Sequence, residues 1–211
     1  MTRAIAILGA GGHGRVIADC AEAIGWNRID FFDEVLTGSV AGVWRVVGGE
    51  GALRERVADY NAVVVGVGDN RVRLRLHREL IEQGAPLASL IHPKAAVSPH
   101  ARVGAGTVVF ASAVVSIGTI IGDACIINTG AGVDHDCRLA DGVHISPGAH
   151  LGGGVSVGEC SWVGIGASIR HGVAIGGDVG VGAGAAVVGA VPDDVVVVGV
   201  PARPFKRRSN A

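Results

Sequence analysis

From Ile91 to Val187 every sixth residue is Val, Ile or Leu, seventeen anchors without a slip, among them Val97, Val109, Ile127, Leu139, Ile145, Val163 and Ile175. Two residues before most anchors stands a small side chain, such as Ala95, Thr107, Cys125, Cys137 or Ala167, and glycine often follows, as at Gly104, Gly122 and Gly164. A fixed period of this kind decides the architecture before any other signal. A buried anchor, a small residue and a turn every six positions describe one flat face of a parallel β-helix. Three faces make a coil of about eighteen residues, so the run supplies five to six coils whose anchors stack into one dry core. Glycine is expected at the corners, where a Cβ would oppose the backbone angles. A sandwich would instead alternate at period two. Pro192-Asp193-Asp194 ends the repeats, and Val195 to Val198 reads as a closing strand.

The pattern before the repeats is different. Ala4 to Leu8 is a short apolar run ending in Gly9-Ala10-Gly11-Gly12-His13-Gly14. Arg15 to Ile24 then reads as a helix with Val16, Ile17, Cys20 and Ile24 on one side. Strand, glycine loop and helix begin a βαβ nucleotide-binding unit, and the loop lets a phosphate reach the N–H groups of the helix start. Ile29 to Glu34 reads as a second strand ending in the carboxylates Asp33 and Glu34, placed to meet a ribose or base. Ala62 to Val67 reads as a third strand ending in Gly68-Asp69-Asn70, followed by a helix from Arg71 to Gln83 and a last strand from Leu87 to Ile91. The predicted division is a Rossmann-like α/β domain over residues 1–88 and an all-β domain of hexapeptide repeats over 89–211. Eighty-eight residues hold half of a two-part dinucleotide fold, so a mononucleotide or a nucleotide-linked sugar fits better than NAD.

Composition narrows the function. With 18 Lys and Arg against 19 Asp and Glu, the net charge of −1 offers nothing to attract nucleic acid. Apolar runs are broken by Gly or charge before they reach the length of a membrane span. The N-terminal apolar run is too short for a signal peptide and reads as a buried strand. The four cysteines, Cys20, Cys125, Cys137 and Cys160, form no CxxC pair. They read as reduced core thiols in a cytoplasmic protein.

Candidate chemistry in the repeats rests on histidines. His135 lies between Asp134 and Asp136, and flanking carboxylates keep an imidazole basic and fix its tautomer, leaving one nitrogen to accept a proton. On charge alone the same triplet also fits a solvated turn. His92 precedes Pro93 at the domain junction, while His100, His150 and His171 read as surface turn residues.

Three segments carry a resemblance. Gly9-Ala10-Gly11-Gly12-His13-Gly14, Ile127-Asn128-Thr129 through Val133-Asp134-His135-Asp136-Cys137, and Val198-Gly199-Val200-Pro201-Ala202-Arg203 resemble, in the same order, the hexapeptide-repeat acetyltransferases that acetylate nucleotide-linked amino sugars, with their sialic-acid O-acetyltransferase relatives. The resemblance implies a left-handed β-helix, a cytoplasmic homotrimer, acetyl-CoA as co-substrate and no metal. It implies His135 as general base with Asp136 raising its basicity, where the family often carries the longer Glu. It places His144, Gly153, Ile165 and Ala183 at acetyl-CoA, with Gly153 lending an N–H to the thioester oxygen. It places Gly11, Gly12, His13, Asp33, Glu34, Gly68 and Arg73 at the sugar nucleotide. The basic tail Lys206-Arg207-Arg208 is a candidate for the CoA phosphates. Transfer to a sugar hydroxyl and nucleotide-sugar binding without catalysis are the alternatives. The helix is also similar to γ-class carbonic anhydrases, with their three zinc histidines, but the residues flanking His144 and His150 do not match.

Overall fold

In the computed structural model, which describes residues 3–207, each sixth-residue anchor is the second residue of a two-residue strand. From Ala96–Val97 to Ser168–Ile169 each such strand pairs in parallel with the strand eighteen residues on, as Val115 with Val133 and Ile127 with Ile145, while Gly180–Val181 pairs with Val196 and Val197. Three faces result. The first carries Val115, Val133 and Leu151, the second Ile121, Leu139 and Val157, and the third Ile127, Ile145 and Val163. Together they form a left-handed parallel β-helix, and the third face continues into Val195–Val198 and an antiparallel last strand, Arg203–Arg207. The side chains of Lys206 and Arg207, and all of Arg208, lie outside the described residues.

The anchors from Val109 to Val187 are buried, and so are the small partners Thr107, Cys125, Ala131, Cys137 and Ala167 at 0% exposure. Thr107 and Ser161 are accommodated because each hydroxyl donates to a carbonyl of the next turn, Gly122 at 2.8 Å and Gly176 at 2.7 Å. Val97 and Val103 are half-buried, as expected in an end coil, and Ile91, the first residue of the count, is 39% exposed and not core. The corner glycines also differ from expectation. Left-handed backbone recurs three residues before the anchors, at Gly106, Gly118, Gly130 and onward every six. Ser112, Ala124, Asp136, Cys160 and Asp178 hold the same conformation in this series without being glycine. The glycines after the anchors are required by close approach instead: a Cβ on Gly164 would lie 2.5 Å from the Val181 carbonyl oxygen of the next coil.

Contacts divide the chain into two compact units, Met1–Pro93 and Lys94–Ala211. In the first, strand β1 (Ala4–Leu8) pairs in parallel with β2 (Arg28–Phe32) and, on its other side, with the strand Ala62–Val65. Helix α1 (Gly12–Ala23) packs through Gly14, Ile17, Ala18, Cys20 and Ala21, while Val16 turns outward at 46% exposure. The buried stripe therefore runs through small residues, which let the helix lie close to the sheet. The stretch after β2, where no period was legible, forms β3 (Val40–Ala41) and β4 (Trp44–Gly48), antiparallel to each other, then α2 (Glu50–Arg56). Ala62–Val65 is then β5, and α3 (Asn70–Glu82) starts at Asp69, whose carboxylate accepts the Val72 N–H at 2.9 Å. The predicted strand from Leu87 shortens to Leu90–Ile91.

The sheet order is β3-β4-β2-β1-β5, parallel except at β3. Order reverses between β1 and β5, and in such sheets the ligand crevice opens at the carboxyl ends of the strands flanking that point.

Candidate active site

The predicted nucleotide residues lie in the loops that follow β1, β2 and β5 and in the first turns of α1 and α3. Gly9 has φ +107°, and a Cβ on Gly14 would lie 2.1 Å from the Gly9 carbonyl oxygen. A Cβ on Gly66 would meet the same oxygen at 2.7 Å and the Gly14 Cα at 2.8 Å. Gly9, Gly14 and Gly66 thus let loop, helix and strand touch, and of these only the first two lie in the sequence motif. A Cβ added at Gly11 or Gly12 would meet nothing within 4 Å, so the start of α1 is open and no side chain caps it. That is the condition for an anion to use its N–H groups.

The carboxylates at the end of β2 hold the crevice in shape. Asp33 accepts from the Ala10 N–H at 2.9 Å through Oδ2, and from Val35 and Leu36 through Oδ1. Glu34 accepts from the Glu50 N–H at 2.7 Å, at the start of α2. Arg73 is 1% exposed and donates to the carbonyls of Val67 and Gly68 and to Asn70 Oδ1, so it clamps the loop after β5. Burial, and then the Arg73 charge, push the half-buried His13 down to about 4. It is therefore a neutral imidazole at pH 7.

In the β-helix the predicted residues separate into two groups. Between the first and second faces the turns stack directly: Gly154 N–H donates to His135 O at 2.8 Å, and Gly172 N–H to Gly153 O at 2.9 Å. Asp136 occupies the left-handed position of its turn at φ 59°, which Asp tolerates better than most residues. From there its Oδ2 reaches His135 Nδ1 at 2.8 Å, so the shorter carboxylate suffices. Asp134 accepts the His135 backbone N–H at 2.8 Å. The hydrogen bond to Asp136 first, and the charge of Asp134 next, hold the imidazole above its ordinary pKa. With Nδ1 turned to the carboxylate, Nε2 is the proton acceptor. Its neighbour is Gly153, where a Cβ would lie 2.5 Å from both Nε2 and Cε1.

His144, Ile165 and Ala183 lie elsewhere on the coil. His144 stands on the outer side of the third face, its ring stacked on Trp162 with centroids 5.8 Å apart and planes at 12°. Its Nε2 meets Asn128 Nδ2 at 3.1 Å, and Trp162 Nε1 donates to Ser146 Oγ. Asn128 lies in the segment that carries the resemblance, whereas Ser146 and Trp162 were missed in the sequence, although Trp162 follows His144 by one coil and occupies the same outward position. Ile165 and Ala183 stack in the corner between the third and first faces, linked through Gly184 N–H to Ile165 O at 2.8 Å. Across the first face between these two corners runs a groove of about 500 Å³, from Gly130 past Gly132, His150 and Ser168 to Asp134.

All four cysteines are buried free thiols, and burial raises Cys20 to about 12. No cluster of three or more His, Cys, Asp or Glu suited to a metal occurs among the described residues. No described helix is long and apolar enough to cross a membrane.

Residues 4–80 match the family described as the PglD N-terminal domain. A curated relative, UDP-N-acetylbacillosamine N-acetyltransferase of Bacillus subtilis, is 40% identical over 110 residues, and that alignment spans about half of each chain, 51%. The acetyltransferase domain of PglB from Neisseria gonorrhoeae, solved with acetyl coenzyme A, is 44% identical, with 97% of this chain and 100% of that one covered and a TM-score of 0.93. PerB from Caulobacter crescentus, solved with CoA and GDP-perosamine, is 41% identical over 96% of this chain and 97% of its own, with a TM-score of 0.91. An open start of α1, a buttressed histidine over a glycine and near end-to-end likeness to these proteins agree: the chain belongs to the family of nucleotide-sugar N-acetyltransferases.

Proposed function

We propose that this protein moves the acetyl group of acetyl-CoA to the amine of a nucleotide-linked amino sugar. The observation that carries the reading is the His135–Asp136 pair, with Nε2 directed over Gly153. Amines are protonated near neutral pH, so the acceptor must lose a proton before or during attack, and a base of raised pKa suits that step. The amine nitrogen attacks the thioester carbon, His135 Nε2 takes the amine proton, and the C–S bond breaks to release CoA thiolate. The Gly153 N–H faces the developing oxyanion. Thiolate is a good leaving group, so no covalent enzyme intermediate is needed. The N-terminal crevice holds the nucleotide, with phosphates at Gly11 and Gly12, and Asp33, Glu34, Gly68 and Arg73 shape its walls. The relatives' names cite UDP and GDP, so either base is a starting point.

Acetyl-CoA contacts at His144, Ile165 and Ala183 lie on a different corner from His135. A second copy placing its third face against the corner of His135 would unite them, so we assign the protein as a homotrimer with shared sites, working in the cytoplasm where its thiols stay reduced. Light scattering should give about three times the 21.2 kDa chain mass. The test of function is a panel of UDP- and GDP-linked amino sugars assayed for CoA release with acetyl-CoA, with the product weighed by mass spectrometry. A mass gain of one acetyl on the amine supports the reading. Acetylation of a hydroxyl, or nucleotide-sugar binding without CoA release, would overturn it.

A further inference from the structure

Along the outer side of the third face His144, Trp162 and Gly180 stand in one column, each a coil beyond the last. The indole of Trp162 is fixed on one side. It lies parallel on the His144 imidazole, and its Nε1 donates to Ser146 Oγ, a side chain only 1% exposed. The imidazole is held in turn by Asn128. The Thr129 N–H takes Asn128 Oδ1 at 2.8 Å, so the amide nitrogen faces His144 Nε2 and donates to it at 3.1 Å. On the other side of the indole the column has no side chain, because the next residue is Gly180. The three atoms nearest to a Cβ placed there all belong to Val196, the first at 3.4 Å, and none to Trp162. The indole therefore leans toward His144 and away from the following coil. Trp162 is 49% exposed, whereas Trp26 is buried and Trp44 half-buried. A tryptophan with its N–H satisfied inside and a ring face turned to solvent beside a glycine is a platform for a flat group.

We infer that Trp162 binds acetyl-CoA, carrying the first amide of the pantetheine arm on the open face of its indole. This deepens the proposed function and rests on it. The contacts assigned there climb coil by coil, from His144 to Ile165 and then to Ala183, and Trp162 shares the middle coil with Ile165. Ile165 is 60% exposed, so that coil offers the arm a second open apolar side chain. In acetyl-CoA two methylenes separate the thioester sulfur from the first amide, a reach close to one coil spacing, about 5 Å. A thioester end at His144 thus puts that amide one coil on, at Trp162. The amide plane stacks on the indole, and the methylenes on either side of it cover the ring from water. A sugar ring matches less well. Its hydroxyls would find no hydrogen-bonding side chain at Gly180 or Val196, and the indole N–H is already taken by Ser146.

The experiment uses the full chain and has two parts. The first needs no turnover: CoA is titrated into the protein and tryptophan emission is read. The parent emission should change on binding, and Trp162→Phe should bind CoA with that change lost. A change that persists in Trp162→Phe comes from Trp26 or Trp44 and overturns the contact. The second part compares acetyl-CoA with S-acetylpantetheine, which has the arm and thioester without the nucleotide, and with adenosine 3′,5′-bisphosphate, which has neither. Trp162→Ala should raise the KM of both acetyl donors about tenfold. It should leave the Kd of the bisphosphate and the KM of the acceptor unchanged, and Trp162→Phe should recover most of the loss. Ser146→Ala, which frees the indole to turn, should show a smaller loss of the same kind. Weakened bisphosphate binding or a raised acceptor KM would overturn the assignment. So would a fall in assembly mass by light scattering, which would make the indole a contact between copies. If no amino sugar in the panel is acetylated by the parent, the proposed function fails, while the CoA titration still decides the contact at Trp162.

Discussion

In residues 94–211 each functional side chain inherits its position from the core. The anchor fixes the face, the turn fixes the corner, and the residue eighteen positions on stands directly above. In the first 93 residues no such rule operates. The crevice there is assembled from three strand ends, and its walls are held by individual bonds such as Asp33 to Ala10 and Arg73 to Gly68. A substitution at the His135 turn should therefore act on one step of the chemistry, whereas one in the crevice should act on the binding of one ligand.

The largest expected effect tests that contrast directly. His135→Ala should lower kcat by about 10²–10⁴-fold, with little change in either KM, measured as CoA release. A near-parental kcat would remove the base from the scheme. Gly153→Ala is next. Its methyl would displace the imidazole, and a misplacement of about 1 Å costs on the order of 10²-fold. An unchanged melting temperature would show that the loss is positional. In the other unit, Gly12→Leu should raise the KM of the acceptor about tenfold, the cost of roughly one phosphate hydrogen bond, and leave that of acetyl-CoA alone. If both KM values moved together, the two units would not divide the ligands as proposed.

Smaller effects concern pH. In Asp136→Asn the first cause of the raised His135 pKa is gone. The base then loses its proton at lower pH, so the acidic limb of kcat/KM should move down and the plateau should fall several-fold. A limb that stays in place would mean that another group titrates. His13 should also show in stability. Its pKa is about 4 folded against 6.5 unfolded, so between those values the unfolded chain binds more protons. Stability should then rise with pH from about 4 to 6.5, and His13→Asn should flatten that rise in melting curves.

The same contrast explains what could be read from residues alone. Period six is a one-dimensional signal, so the coil, the closing strand and the neighbourhood of His135 and Asp136 were legible. Gly153 stands eighteen residues after His135, but with Gly152 and Gly154 beside it the residues alone left the register of that glycine open. Trp162 bears the same relation to His144 and could have been found by that spacing. The crevice was legible only at Gly9 to Gly14 and at the strand-end carboxylates. Gly66 answers to no local pattern, because its need for a missing side chain comes from Gly9 and Gly14, more than fifty residues away in sequence. The β3–β4 hairpin and α2 were invisible for a related reason: Glu34 and Val46 are placed by partners across the sheet, not by a repeat. The inward direction of Asp33 likewise depends on a loop that closes only in three dimensions.

The repeat obeys two different arithmetics. Stability counts residues modulo six, because any six-residue step returns a Val, Ile or Leu to the interior. Chemistry counts modulo eighteen, because only a whole coil returns a side chain to the same corner. Removing the six residues from Val157 to Trp162 would keep the interior sequence in step and leave a foldable coil. Every later residue, however, would move to a neighbouring corner, taking His171 away from Gly153 and Ala183 away from its column. Length variation within such a chain can thus erase a site while sparing the fold, and only insertions or deletions of a full turn conserve both.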